Sequence, residues 1–162
     1  MKKILFYNMP ILCALVFLSF CQVLLAGEPL VSKDEDKGVV SIRSGDGRLM
    51  FSLKYTDGCY FNRVEIAGKQ VIDAKKGVSS AIKLDGQWFS TRDKSSLPRV
   101  GVKGDTVLVD NIRYGNKNYF VEESWQLIAL QDAIEWRIQR RTKGDGIIED
   151  AANAEWVFSD MQ

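Results

Sequence analysis

Three glutamates, Glu122, Glu123 and Glu135, are the groups in this sequence best suited to acid–base chemistry. A glycosidase of ordinary mechanism needs two carboxylates facing one sugar, about 5 to 9.5 Å apart. Glu122 and Glu123 are adjacent, so on a strand they point to opposite faces and cannot form that pair together. Glu135 belongs to the next alternating segment and can face one of them across a hairpin. The competing reading is an outer sheet face, solvated or ion-paired through Arg137 and Arg141. Glu123 is the odd member, because alternation groups it with Tyr119, Val121 and Trp125. There it either pairs internally with an arginine or lies at the sheet rim. Histidine is absent from the chain, so an imidazole base, a Ser-His or Cys-His pair and a histidine metal ligand are all excluded within it.

Tryptophan is the other chemically informative residue type. An aromatic face packs on the apolar C–H face of a pyranose while neighbouring polar groups bond its hydroxyls. Trp125, Trp136 and Trp156 sit in strand-like or apolar contexts that suit a core. Trp88 lies instead in the polar segment Asp85-Gly86-Gln87-Trp88-Phe89-Ser90-Thr91-Arg92-Asp93. Trp88, Arg92 and Asp93 are therefore the candidate ligand contacts, outside the regular strands, with a loop-anchoring hydrophobe as the alternative role for Trp88. Cys59 follows the turn residues Asp57-Gly58 and has no basic sequence neighbour to activate its thiol, so it reads as a small buried hydrophobe. Asp34-Glu35-Asp36 lacks the glycine and the distal glutamate of a calcium loop. No metal site is expected, and no phosphate loop, paired-cysteine motif or nucleotide glycine fingerprint calls for a cofactor. A formal charge of +1 supplies no electrostatic reason to expect nucleic acid or an anionic membrane surface as partner.

The elements that must position these residues repeat with a period of two. Leu49, Phe51, Leu53 and Tyr55 alternate with polar residues. Tyr119, Val121, Trp125 and Leu127 do the same, as do Ile134, Trp136 and Ile138. The last two segments are joined through Leu130-Gln131-Asp132-Ala133, which predicts an antiparallel hairpin with a loop somewhat longer than two residues. Shorter strands are expected over 39–44, 61–67, 69–73, 79–84, 99–102 and 105–113. Four Asp-Gly steps, at 46–47, 57–58, 85–86 and 145–146, end or adjoin such runs and suit tight turns. No stretch past residue 26 sustains a helical period over three turns. The expected fold is all-β, an antiparallel β-sandwich, either whole or an incomplete part of a larger supersandwich.

Residues 1–26 open with Lys2 and Lys3, run through the apolar stretch 11–18 and reach Ala26 just before Gly27-Glu28-Pro29. That order predicts a secretory signal peptide, hence a periplasmic or extracellular protein with no stable membrane insertion after cleavage. Loss of two lysines and no acid then turns the charge from +1 to −1. Phe20 ahead of Cys21 disfavours lipidation. Cleavage also leaves Cys59 alone, so no internal disulfide can form. Residues 27–37 read as a flexible leader and 38–162 as the sandwich domain. The final segment carries Trp156, Val157 and Phe158 without a polar tail. It reads as an interruption inside a longer protein, or else as a last docked strand.

Two stretches carry a resemblance: Gly58-Cys59-Tyr60-Phe61-Asn62-Arg63-Val64-Glu65-Ile66-Ala67-Gly68-Lys69, and Val121-Glu122-Glu123-Ser124-Trp125 followed by Ile134-Glu135-Trp136-Arg137-Ile138. Their order, across roughly 39–160, resembles the start of the galactose-mutarotase-like sandwich domain that precedes the helical-barrel catalytic domain of some secreted bacterial glycosidases. The resemblance implies a carbohydrate-processing context, a structural or sugar-contacting role for this domain, and a C-terminal catalytic domain as its partner. The catalytic histidine and glutamate of true mutarotases have no counterpart here. The expected function is thus a non-catalytic, carbohydrate-associated module of an exported glycan-degrading enzyme. The alternative is a freestanding exported module binding carbohydrate or protein.

Overall fold

The structure, a computed structural model, describes residues 30–93 and 96–156. The expected signal segment lies outside the described residues, as do Val157 and Phe158. Every regular element among the described residues is a strand: β1 (Leu30–Asp34), β2 (Val39–Arg43), β3 (Leu49–Lys54), β4 (Tyr60–Ile66), β5 (Lys69–Gln70), β6 (Val78–Leu84), β7 (Gln87–Ser90), β8 (Arg99–Lys103), β9 (Thr106–Gly115), β10 (Tyr119–Ala129), β11 (Ile134–Gly144) and β12 (Ile148–Trp156). The larger sheet runs β1-β2-β3-β4-β6-β12, with β5 added to β4 and β7 to β6; the smaller runs β11-β10-β9-β8. All pairings are antiparallel. The expected antiparallel sandwich is the observed architecture.

Alternation decides what fills the interior. Inward residues of the larger sheet, Val40, Ile42, Leu53, Phe61, Val64, Val78, Ile82 and Leu84, meet Val107, Val109, Ile112, Tyr114, Val121, Trp125 and Leu127 of the smaller one. Aromatic rings bridge the layers: Phe61 stacks on Trp125 with centroids 6.1 Å apart and meets the edge of Trp136 at 5.0 Å. Offset and edge-on contacts of this kind add to the area they bury. Backbone bonds join the two sheets at one end, where Gly45 N–H donates to Leu130 O (2.9 Å) and Asp46 N–H to Gln131 O (2.7 Å). On another flank Lys33 Nζ donates to Val100 O at 2.9 Å, tying β1 to β8.

The turns follow from residues that tolerate a left-handed backbone. Asp85-Gly86 closes β6 and β7 as a two-residue hairpin with φ +49° and +77°, the twist-matched turn for such strands. Asp46-Gly47 sits in a longer turn held by its own side chain, since Asp46 Oδ1 accepts from Ser44 Oγ (2.6 Å) and from Arg48 N–H (3.0 Å). The β10–β11 link is a four-residue loop as expected, with Ala129 opposite Ile134.

Four expectations are corrected. Leu30–Asp34, within the segment read as a flexible leader, is a strand paired along its length with β2, because Val31 packs on the core and Asp34 caps the following turn through Lys37 N–H. β5 is only two residues long; Val71 N–H leaves the ladder to bond Val64 O (2.9 Å) and Ile72 turns into the core. The segment around Trp88, read as lying outside the strands, contributes β7. Trp156, expected in the core, ends an outer strand at 38% exposure, edge-on to Phe51.

Candidate functional site

The Trp88 segment is fixed from both sides. Phe89 turns inward against the core and Thr91 is buried, its Oγ1 donating to Cys59 O (2.6 Å) while its N–H donates to Ser80 O (2.9 Å). Strand alternation then turns Trp88 outward, opposite Lys83, and leaves it 48% exposed. Beside it opens a cleft of about 410 Å³, lined by Trp88, Ser90, Asp93, Ala81 and Ala152. The last two belong to facing positions of β6 and β12. Small side chains there keep the floor low, so the indole stands as one wall. Asp93 Oδ2 accepts from Ser90 N–H (2.5 Å), and its other oxygen takes no bond from the described residues.

Arg92 does not join them. Its guanidinium lies 4.7 Å from the centroid of the Tyr60 ring and donates to Lys75 O (2.6 Å). It is a brace between the start of β4 and the β5–β6 connection. Trp88 and Asp93 thus share one cleft, and the third expected contact is turned away from it.

The glutamates divide as their register dictates. Glu122 is opposite Arg141, whereas Glu135 is opposite Ile128, six positions further along β10, or about 20 Å at the rise of a strand. Two carboxylates so placed cannot flank one glycosidic bond. Both instead form surface ion pairs, Glu122 with Arg113 (3.3 Å) and Lys143 (3.6 Å), Glu135 with Arg137 (2.7 Å). The Arg113 hydrogen bond, ahead of the neighbouring charges, holds Glu122 below the usual glutamate range.

Glu123 points inward and is fully buried. Its Oε1 accepts from Arg140 Nε (2.5 Å), Tyr114 OH (2.5 Å) and Ser80 Oγ (2.8 Å), and its Oε2 from Trp125 Nε1 (2.7 Å). Arg140 continues outward to Asn153 Oδ1 (2.6 Å) and Ala152 O (3.2 Å). A buried carboxylate is tolerable only with such complete pairing. Burial works against the Arg140 charge, but the hydrogen bond and charge of Glu123 outweigh it and the net shift is upward. Burial first, then the Glu123 charge, pushes the Tyr114 hydroxyl far up, so it stays a donor. The same two causes raise the buried Cys59 thiol, leaving it unreactive. This cluster links β6, β9, β10, β11 and β12, and the hydrogen bonds of the Glu123 carboxylate are spent within the fold.

The outer face of the smaller sheet carries a second concavity, about 690 Å³, that sequence reasoning passed over as a solvated face. Ser124 and Gln126 lie along its base. Arg99, Asp110, Gln139 and Arg141 contribute to its sides, with Leu108 exposed within it. The face was legible as polar by alternation. Its curvature was not, because it depends on the bulge in β9, where Asp110 and Asn111 together oppose Ser124 and Asn111 takes φ +63°.

Searches of protein-family models, curated proteins and solved structures find no match to this chain.

Proposed function

We propose that this chain is a non-catalytic, glycan-contacting β-sandwich module of an exported glycan-degrading enzyme. One observation carries the reading: the half-exposed indole of Trp88 stands beside Asp93 and Ser90 over a floor of two alanines. An exposed indole flanked by a carboxylate acceptor and a hydroxyl is the pairing that a pyranose needs, an apolar platform plus directional polar groups. The reading is non-catalytic because the half-buried Glu122 and Glu135 are too far apart for a glycosidase pair and Glu123 is consumed in the interior. Arg92, braced on Tyr60, supports the segment without touching the sugar.

The cleft is shallow, so binding is weak, with dissociation constants on the order of millimolar. Titration of the purified chain with neutral oligosaccharides, followed by tryptophan fluorescence, tests this. Saturable quenching in the parent and none in Trp88→Ala is the expected result. Quenching that survives the substitution removes Trp88 from the site, and turnover of any glycoside by the chain overturns the non-catalytic assignment.

A further inference from the structure

We infer that the concave outer face of the smaller sheet is a separate binding site for a carboxylate-bearing glycan chain, a uronic-acid polymer, which rests on the glycan reading above but not on the Trp88 cleft. Strand register arranges the face in rows. Arg99 pairs with Asp110 across β8 and β9, and Ser124 pairs with Gln139 across β10 and β11. One row to one side come Gly101, Leu108, Gln126 and Arg137; one row to the other come Arg113, Glu122 and Arg141. Gly101 would place a Cβ in open space. No side chain therefore rises next to Leu108, and the trough stays open on the β8 side.

Six of the polar side chains lining the trough are unspent. Arg99, Arg141, Asp110, Ser124, Gln126 and Gln139 have no side-chain hydrogen bond or ion pair among the described residues. Two other charged groups of the lining are already paired, Glu122 with Arg113 and Lys143 and Arg137 with Glu135. Two free guanidiniums against one free carboxylate leave the trough cationic. The surrounding face agrees, since Arg99, Lys103, Arg113, Arg137, Arg141 and Lys143 outnumber Asp110, Glu122 and Glu135, whereas the whole chain carries only +1.

Charge complementarity therefore selects an anion, and the remaining groups say which kind. A guanidinium matches a carboxylate with two parallel donors. Amides and hydroxyls in the base of the trough, rather than further cations, suit the hydroxyls of a sugar ring. Leu108, 42% exposed, offers the apolar contact for its C–H face. An acidic peptide could also pair its backbone amides with Gln126 and Ser124, so it is the rival that the polyglutamate probe decides.

The test uses the full chain and four probes: a galacturonate oligomer, the same oligomer methyl-esterified, heparin and polyglutamate, each titrated by calorimetry at moderate salt. The galacturonate oligomer should bind most tightly, with the dissociation constant raised about tenfold by Arg99→Ala and again by Arg141→Ala. Trp88→Ala should leave that affinity within about twofold. A β-type circular dichroism spectrum identical to the parent's establishes that the variants are folded. Equal binding of polyglutamate reduces the face to nonspecific charge and overturns the inference. Tighter binding of heparin overturns the carboxylate assignment. Binding of galacturonate that is lost with Trp88 and indifferent to the arginines overturns this site while leaving the glycan reading intact. Absence of binding to any glycan here and in the neutral panel overturns both.

Discussion

Glu123 shows how much one residue can determine. Alternation on β10 demands an inward side chain at that position, the chemistry of a carboxylate forbids an unpaired one, and Arg140, Tyr114, Trp125 and Ser80 resolve the conflict. Removing one member of a buried ion pair strands the other, a loss of about 3–5 kcal/mol, whereas replacing both by apolar groups of similar volume is often close to neutral. Glu123→Leu should therefore destabilise by about that amount in denaturant melts, and Glu123→Leu with Arg140→Met should recover much of the loss. A double variant as unstable as the single would mean that Tyr114 and Trp125, not the arginine, hold the carboxylate. Trp136 belongs to the same scale. Its ring meets Trp125 at 4.8 Å and Phe61 at 5.0 Å, so Trp136→Ala should cost about 3 kcal/mol. Lys54→Ala, which breaks only a surface pair with Asp57, should stay below about 1 kcal/mol.

Among the elements, the connection carrying Gly58 decides where the candidate cleft sits. Gly58 takes φ +128° and a Cβ there would stand 2.5 Å from Arg92 O, so Gly58→Ala collides with backbone in a conformation that side chains avoid. It should destabilise by about 2–3 kcal/mol and weaken any binding at Trp88, because the same Arg92 segment carries Asp93. Gly86→Ala is the control, with φ +77° but open space around it. Its loss should be about 1 kcal/mol, read in the same urea melts. Strands that bury one face, β3, β10 and β11, were legible from their period of two. Those the sequence hides have little apolar alternation to display. Of the described side chains of β1 only Val31 packs on the core, β7 has four residues, and β12 matches alanines to the small face of β6 at Ala152 and Ala81. The placement of Arg92 was hidden for a related reason. Its polar sequence neighbours suggest a ligand, whereas its partners, Tyr60 in β4 and Lys75 in the β5–β6 connection, are distant in sequence and leave no local mark.

Across the whole molecule, the outer strand β12 is held by side chains as much as by its ladder to β6. Register shifts interrupt that ladder between Ile148 and Asp150 and again between Ala152 and Glu155. Arg140 reaches it from β11 at Asn153 and Ala152, and Glu149 fastens its start by accepting from Gly86 N–H (2.9 Å) and pairing with Lys83 (3.3 Å). The Gly86 bond, then Lys83, holds the Glu149 carboxyl below its ordinary 4.5. A group whose folded pKa lies below its unfolded one stabilises fully above the unfolded value and loses that contribution as pH falls through the folded value. Glu122, lowered by Arg113, and Asp46, lowered first by the Ser44 hydroxyl, act in the same direction. Stability should therefore be flat down to the ordinary carboxylate range and decline below it. Glu149 is exposed and its share is screened, but its place is informative. Protection factors of the β12 amides, with the intrinsic pH dependence of exchange divided out, should fall on acidification before those at residues 125–129 of β10, which two ladders and inward aromatics hold away from Glu122. Glu149→Gln keeps an acceptor for Gly86 while removing the charge facing Lys83. It should raise β12 exchange at neutral pH and flatten its acid dependence, and an unchanged acid dependence would assign the loosening to Glu122 and Asp46 instead.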